Sequence, residues 1–171
     1  DLSSWNTAKA TTFFDLFYDC NELASINFGS GWNTSNVTDM SGTFYRCLKL
    51  ISLDLSTWNT SKVTTFEDMF AQDSELTTIN NDNFDFTSAN NTTRMFENNR
   101  KLSGSIRVNN PSIVSFGNMF YDCSCVAPAK FDVHYTADSQ EMAQKLVNTK
   151  SNEDNVNLVG VKALSEDSAK P

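Results

Sequence analysis

The chain has 171 residues, 39 % of them hydrophobic and 20 % charged, which suits one packed domain. Its formal net charge of −8 argues against nucleic acid as a partner, because phosphate binding needs clustered Lys and Arg. No apolar run approaches the ~20 residues of a membrane span, and the first residues do not read as a signal peptide.

The opening "DLSSWN" matches the interior of "LDLSTWN" at 53–59, so the chain reads as a segment cut from inside a repeat array. The first unit, "SSWNTAKATTFFDLF" at 3–17, returns as "SGWNTSNVTDMSGTF" at 30–44 and as "STWNTSKVTTFEDMF" at 56–70. Four columns keep the same period: Phe17, Phe44, Phe70, Phe96 and Phe120; Trp5, Trp32, Trp58 and Phe84; Ala10, Val37, Val63, Ala89 and Ile113; Leu23, Leu50, Leu76 and Leu102. Self-similarity at 20–50 residues marks a solenoid, propeller or array.

Each unit is predicted to run helix, strand, turn. In the third, Val63, Phe66, Met69 and Phe70 share a helical face, with Thr60 or Ser61 as the N-cap. "ELASINF", "KLISLDL" and "ELTTINN" then read as L-x-x-[IL]-x-[FL], the strand portion of a leucine-rich repeat. A lone unit cannot bury its apolar residues, whereas stacked units bury them against one another. The fourth unit, with Thr92 in place of an apolar residue, is degenerate. The fifth is shortened at "NNPSIV" (109–114), and the extra residue in "LSGSI" predicts a bulge near Gly104.

Beyond 128 the pattern changes. "AKFDVHYT" at 129–136 alternates as a strand. Asp138 with Glu141 fits a capping box ahead of a Met142, Leu146, Val147 helical stripe, and "NVNLVGVK" at 155–162 is a second strand. The expected fold is therefore an α/β, leucine-rich-repeat-like, right-handed solenoid with a parallel sheet and about five coils over 1–128. A strand–helix–strand cap occupies 129–164, and a polar linker stub 165–171.

The unit "LDLSTWNTSKVTTFEDMFAQDSELTTI" resembles the repeat of BspA-like leucine-rich-repeat surface proteins, over about three quarters of the chain. That resemblance implies a bacterial cell-surface or secreted location and adhesion to a host or extracellular-matrix protein or a polysaccharide.

On the expected strands the residues alternating with the core face outward. They make two polar columns: Ser25, Ser52, Thr78 and Ser105, then Asn27, Asp54, Asn80 and Arg107. These eight are the candidate ligand-binding residues, since short polar groups on a sheet can hold an extended polymer or a protein edge. The competing reading is a solvated face on a passive spacer or stalk with no ligand of its own. The turn column Asn6, Asn33, Asn59 and Asp85 reads as structural, and the Trp column as buried stacking.

Cys20, Cys47 and Cys123 share one column. Coil spacing permits a Cys20–Cys47 bond, but parallel side chains favour free, buried thiols. There is no metal-ligand spacing, one His (His134), no G-x-S-x-G, no H-E-x-x-H and no phosphate loop. No enzyme activity and no cofactor are expected, "NNDNFD" at 80–85 lacks the spacing of a calcium loop, and a monomer is expected.

Overall fold

The computed structural model describes residues 1–81 and 83–161. It is a right-handed, parallel-sheet β-solenoid of about four turns, closed by a strand–helix–strand element. The strands are β1 (Ser52–Asp54), β2 (Thr78–Asn80), β3 (Gly104–Val108), β4 (Phe131–Tyr135) and β5 (Val156–Val161), with α1 (Gln140–Val147) between the last two. β1 and β2 pair in parallel, and β3, β4 and β5 form a second parallel sheet. A single bridge, Thr78 to Ser103, links the two sheets. The extra residue at Gly104 thus ends the ladder between β2 and β3 rather than making a bulge. The irregular pairing falls instead between Val133 and His134.

The core follows the repeat columns. Phe17, Phe44, Phe70, Phe96 and Phe120 form one continuous file, with successive ring centroids 5.4, 5.7, 5.5 and 5.6 Å apart and near-parallel planes. Trp32 and Trp58 stack at 6.0 Å and are buried, while Trp5 stacks on Trp32 at 6.4 Å but stays half exposed. Val37, Val63 and Ala89 are fully buried, as are Leu50, Leu76 and Leu102. Each ring lends apolar contact to its copies on either side, so no coil holds a core of its own.

The helices predicted within the repeats do not form. Residues 13–20 and their copies are runs of tight turns; among the described residues the one α-helix is α1. The reason lies in the destination of each amide. Alternate N–H groups close turns within the coil, as in Leu16 to Phe13 O, Tyr18 to Asp15 O and Cys20 to Phe17 O. The others donate sideways to the next coil: Phe13 to Asp39 O, Asp15 to Ser41 O, Phe17 to Thr43 O and Asp19 to Tyr45 O, all at 2.8–2.9 Å. Later coils repeat this pattern. Two left-handed residues per copy make the turns: Asp15 and Asp19, Gly42 and Arg46, Asp68 and Gln72, Arg94 and Asn98, Asn118 and Asp122. A helix cannot contain such residues in regular alternation. The result is a double-turn ribbon, present in five copies, along the side of the solenoid away from β1 and β2.

Thr60 therefore caps no helix. Its buried hydroxyl donates to Asp85 O at 3.0 Å and accepts from Asp85 N at 2.7 Å, and Thr7 and Thr34 do the same to Asn33 and Asn59. The neighbouring column serves the turn, as expected: Asn6, Asn33, Asn59 and Asp85 each accept from the amide two residues on. In the cap, Met142, Leu146 and Val147 are buried, but the predicted capping box is not made. Ser139 is the N-cap without a side-chain cap bond, Asp138 accepts from Thr136, and Glu141 pairs with Lys145 at 2.8 Å. The expected linker 165–171 and the end of the expected cap lie outside the described residues.

Candidate functional site

The strand segments alternate because one face must be apolar to close the solenoid. Leu53 and Ile79 point inward at 4 % and 7 % exposure, which turns Ser52, Asp54, Thr78 and Asn80 outward to solvent. The register places Ser52 beside Thr78 and Asp54 beside Asn80. Asn80 Nδ2 donates to Asp54 Oδ1 at 3.1 Å. Hydrogen bonds from Ser56, and then from Asn80, hold the Asp54 carboxyl below the usual carboxylate range, so it is anionic at neutral pH.

A shallow groove of about 520 Å³ runs over this face, lined by Ser52, Asp54, Thr78 and Asn80 from the first sheet and by Ser103, Gly104 and Ser105 at the junction with the second. Five of the eight candidate residues therefore meet in one place. Ser25 and Asn27 are exposed but lie in a segment that forms no strand, one coil before β1, and they do not line the groove. Arg107 lies on β3 beside His134 and does not line it either. Two lining residues escaped the sequence reading. Ser103 enters because the bridge from Thr78 lands on it, which the extra residue before Ile106 hinted at. Asn81 is 5 % exposed, and its Nδ2 has no partner among the described residues. Among the described residues the groove holds short donors and acceptors, one carboxylate and no aromatic ring, a set suited to many weak hydrogen bonds along an extended ligand.

In the cysteine column Cys47 and Cys123 are buried and Cys20 is half-buried. All four cysteines are unpaired. Cys47 N donates to Asp73 Oδ1 at 2.7 Å, and Asp73 N to Asn99 Oδ1 at 3.1 Å, so the acid and the amide that replace Cys in this column serve the neighbouring coil's backbone. Burial pushes the Cys47 thiol up, and the Cys123 thiol to about 12, so neither is a thiolate nucleophile at neutral pH. Asp73 is fully buried with Oδ2 unpaired, and burial holds its carboxyl well above the ordinary range.

Among the described residues no group of three or more His, Cys, Asp or Glu could hold a metal ion, and no helix is long and apolar enough to cross a membrane. The calcium reading of 80–85 includes Asp82, which lies outside the described residues. The adjacent carboxylates Glu67 and Asp68 are both engaged by Arg94, at 2.9 and 2.7 Å.

These features define an elongated repeat solenoid with an exposed parallel-sheet face, an architecture consistent with leucine-rich-repeat-like proteins and with a binding or adhesion-type module. The chain belongs to the family described as "Mycoplasma protein of unknown function, DUF285", whose model matches residues 1–29 and 24–132. No curated protein and no solved structure matches it.

Proposed function

We propose that the chain is a cell-surface or secreted adhesion module of BspA-like type, recognising a host or matrix protein or a polysaccharide through its polar sheet face. The observation that carries this reading is the groove across β1, β2 and the Gly104 junction, where Ser52, Asp54, Thr78, Asn80 and Ser105 present exposed or half-exposed polar groups side by side. The spacing of parallel strands repeats at about 4.8 Å, so an extended chain laid across the coils meets a similar group at each step. Such binding is polar and distributed, without the Trp, Tyr or Arg anchors of a tight protein interface.

The test is an array of immobilised matrix proteins, mucins and polysaccharides probed with the purified chain. Saturable binding lost on joint Asp54→Ala and Asn80→Ala substitution supports the sheet face; binding that survives both moves the site elsewhere. A folded chain that binds nothing on the array is the outcome for a passive spacer.

A further inference from the structure

The ribbon side of the solenoid carries a second groove, of about 560 Å³, which shares no lining residue with the sheet groove. Its wall is aromatic. Tyr18 and Tyr45 stack in parallel at 5.0 Å, and Phe14 and Tyr18 are 60 % and 49 % exposed. Among the described residues its charged lining is Asp15, Glu67, Asp68 and Glu97 against one cation, Arg94.

The repeat itself shows what this lining is built to hold. Asp15, Gly42, Asp68, Arg94 and Asn118 occupy one left-handed register in successive coils. At one step of that register, Arg94 reaches back to the coil before it. Its Nε and Nη2 bond Asp68 Oδ1 and Oδ2 at 2.8 and 2.7 Å, and Nη2 also bonds Glu67 Oε1 at 2.9 Å. Two coils earlier, Asp15 stands where Asp68 does, and Gly42 stands where Arg94 does. The Asp15 carboxylate leans into the space a side chain on Gly42 would take, and that space is bounded by the Tyr18 ring at 3.8 Å. Asp15 makes no ion pair and accepts no side-chain hydrogen bond among the described residues. Burial, and then the charges of Asp39 and Asp68, push its carboxyl up, the signature of an acid among acids with no cation beside it.

We infer that this groove docks an arginine side chain from a basic protein segment, its guanidinium lying on Asp15 as Arg94 lies on Asp68 and its planar face against the Tyr18–Tyr45 wall. Arginine fits better than lysine, because its fork matches a carboxylate with two parallel bonds and its plane stacks on aromatic rings. The net charge of −8 draws such a segment in and makes the binding salt-sensitive.

The probe is a short acetylated, amidated peptide carrying two arginines, titrated into the whole chain while the Gly42, Tyr18 and Tyr45 resonances are followed. Saturable shifts at these residues are expected. Asp15→Asn should weaken binding by about tenfold, the scale of one charge-assisted pair. Gly42→Arg should abolish binding by filling the site from within where it folds: Arg46 and Arg94 already sit at φ 60° and 54°, close to the 61° of Gly42, but the Asp15 carboxylate must swing off the position of the new Cβ. Asp54→Ala, on the other face, should bind as the parent does. The proposal is overturned by an absence of saturable shifts at millimolar peptide. It is equally overturned by affinity that Asp15→Asn and, where it folds, Gly42→Arg leave unchanged, or by a loss that Asp54→Ala shares equally. A null result on the matrix array bears on the sheet face alone and leaves this test intact.

Discussion

The two long sides of this solenoid are built by opposite means. The sheet side uses short extended strands, and its ladder breaks once, between β2 and β3. The ribbon side uses turns throughout, yet its sideways hydrogen bonds run through all five copies, from Phe13 to Asp39 O at one end to Asn98 to Tyr121 O at the other. The parallel bridges Thr12–Asp39–Thr65–Asn91–Ser115 follow the same line without a gap. Regular secondary structure is thus a poor guide to which side holds the coils together. Continuity of hydrogen bonds between coils, with the phenylalanine file behind them, is the better one.

That contrast can be tested at matched depth. Phe70→Ala removes the central ring of the file, between Phe44 and Phe96, and should cost about 3–5 kcal/mol in urea unfolding. Leu53→Ala on the sheet side should cost less, about 2–3 kcal/mol, because its site abuts solvent on one face. Equal losses would dissolve the distinction between the two sides.

Asp73, at the edge of the ribbon, sharpens the comparison through pH. Its folded carboxyl is raised, so folding favours the protonated form. The stability it contributes is present below the unfolded aspartate value of about 4 and declines as pH rises above it. Asp73→Asn keeps an acceptor for Cys47 N and copies Asn99 in the next coil. The variant should therefore match the parent near pH 4 and exceed it at pH 7, in denaturation midpoints taken at both. A variant less stable at pH 7 would mean the buried acid is compensated by contacts beyond Cys47.

The smallest effect concerns the turns themselves. Gln72 holds φ 69°, where a side chain is strained and glycine is not. Gln72→Gly should raise stability by about 0.5–1 kcal/mol, the left-handed penalty less the added freedom of the unfolded chain. A loss there would show that the Gln72 side chain packs usefully.

Much of the architecture could be read from residues alone. The columns of Phe, Trp and Leu named the stacking, and the capping strand–helix–strand was visible from the change of pattern after 128. The ribbon was misread because Val63, Phe66, Met69 and Phe70 carry i, i+3 spacing, which consecutive turns share with a helix. A second signal was available: seven of the ten left-handed positions are Asp, Asn or Gly, the residues that most readily adopt that conformation. For the candidate site, alternation alone turned Ser52, Asp54, Thr78, Asn80 and Ser105 outward, and these five line the groove. It could not show that the ladder breaks at Gly104, which brings in Ser103 and separates Arg107.

Periodic burial is a property of the chain by itself: an apolar residue recurring every 26 or so positions has only its own copies to pack against, and that determined a solenoid with polar residues outside. Where each amide goes was decided by the neighbouring coil. A backbone N–H bonds whichever carbonyl the folded chain holds near it, and the stacked carbonyls of the next turn, not those four residues back, are the ones the tertiary structure supplies.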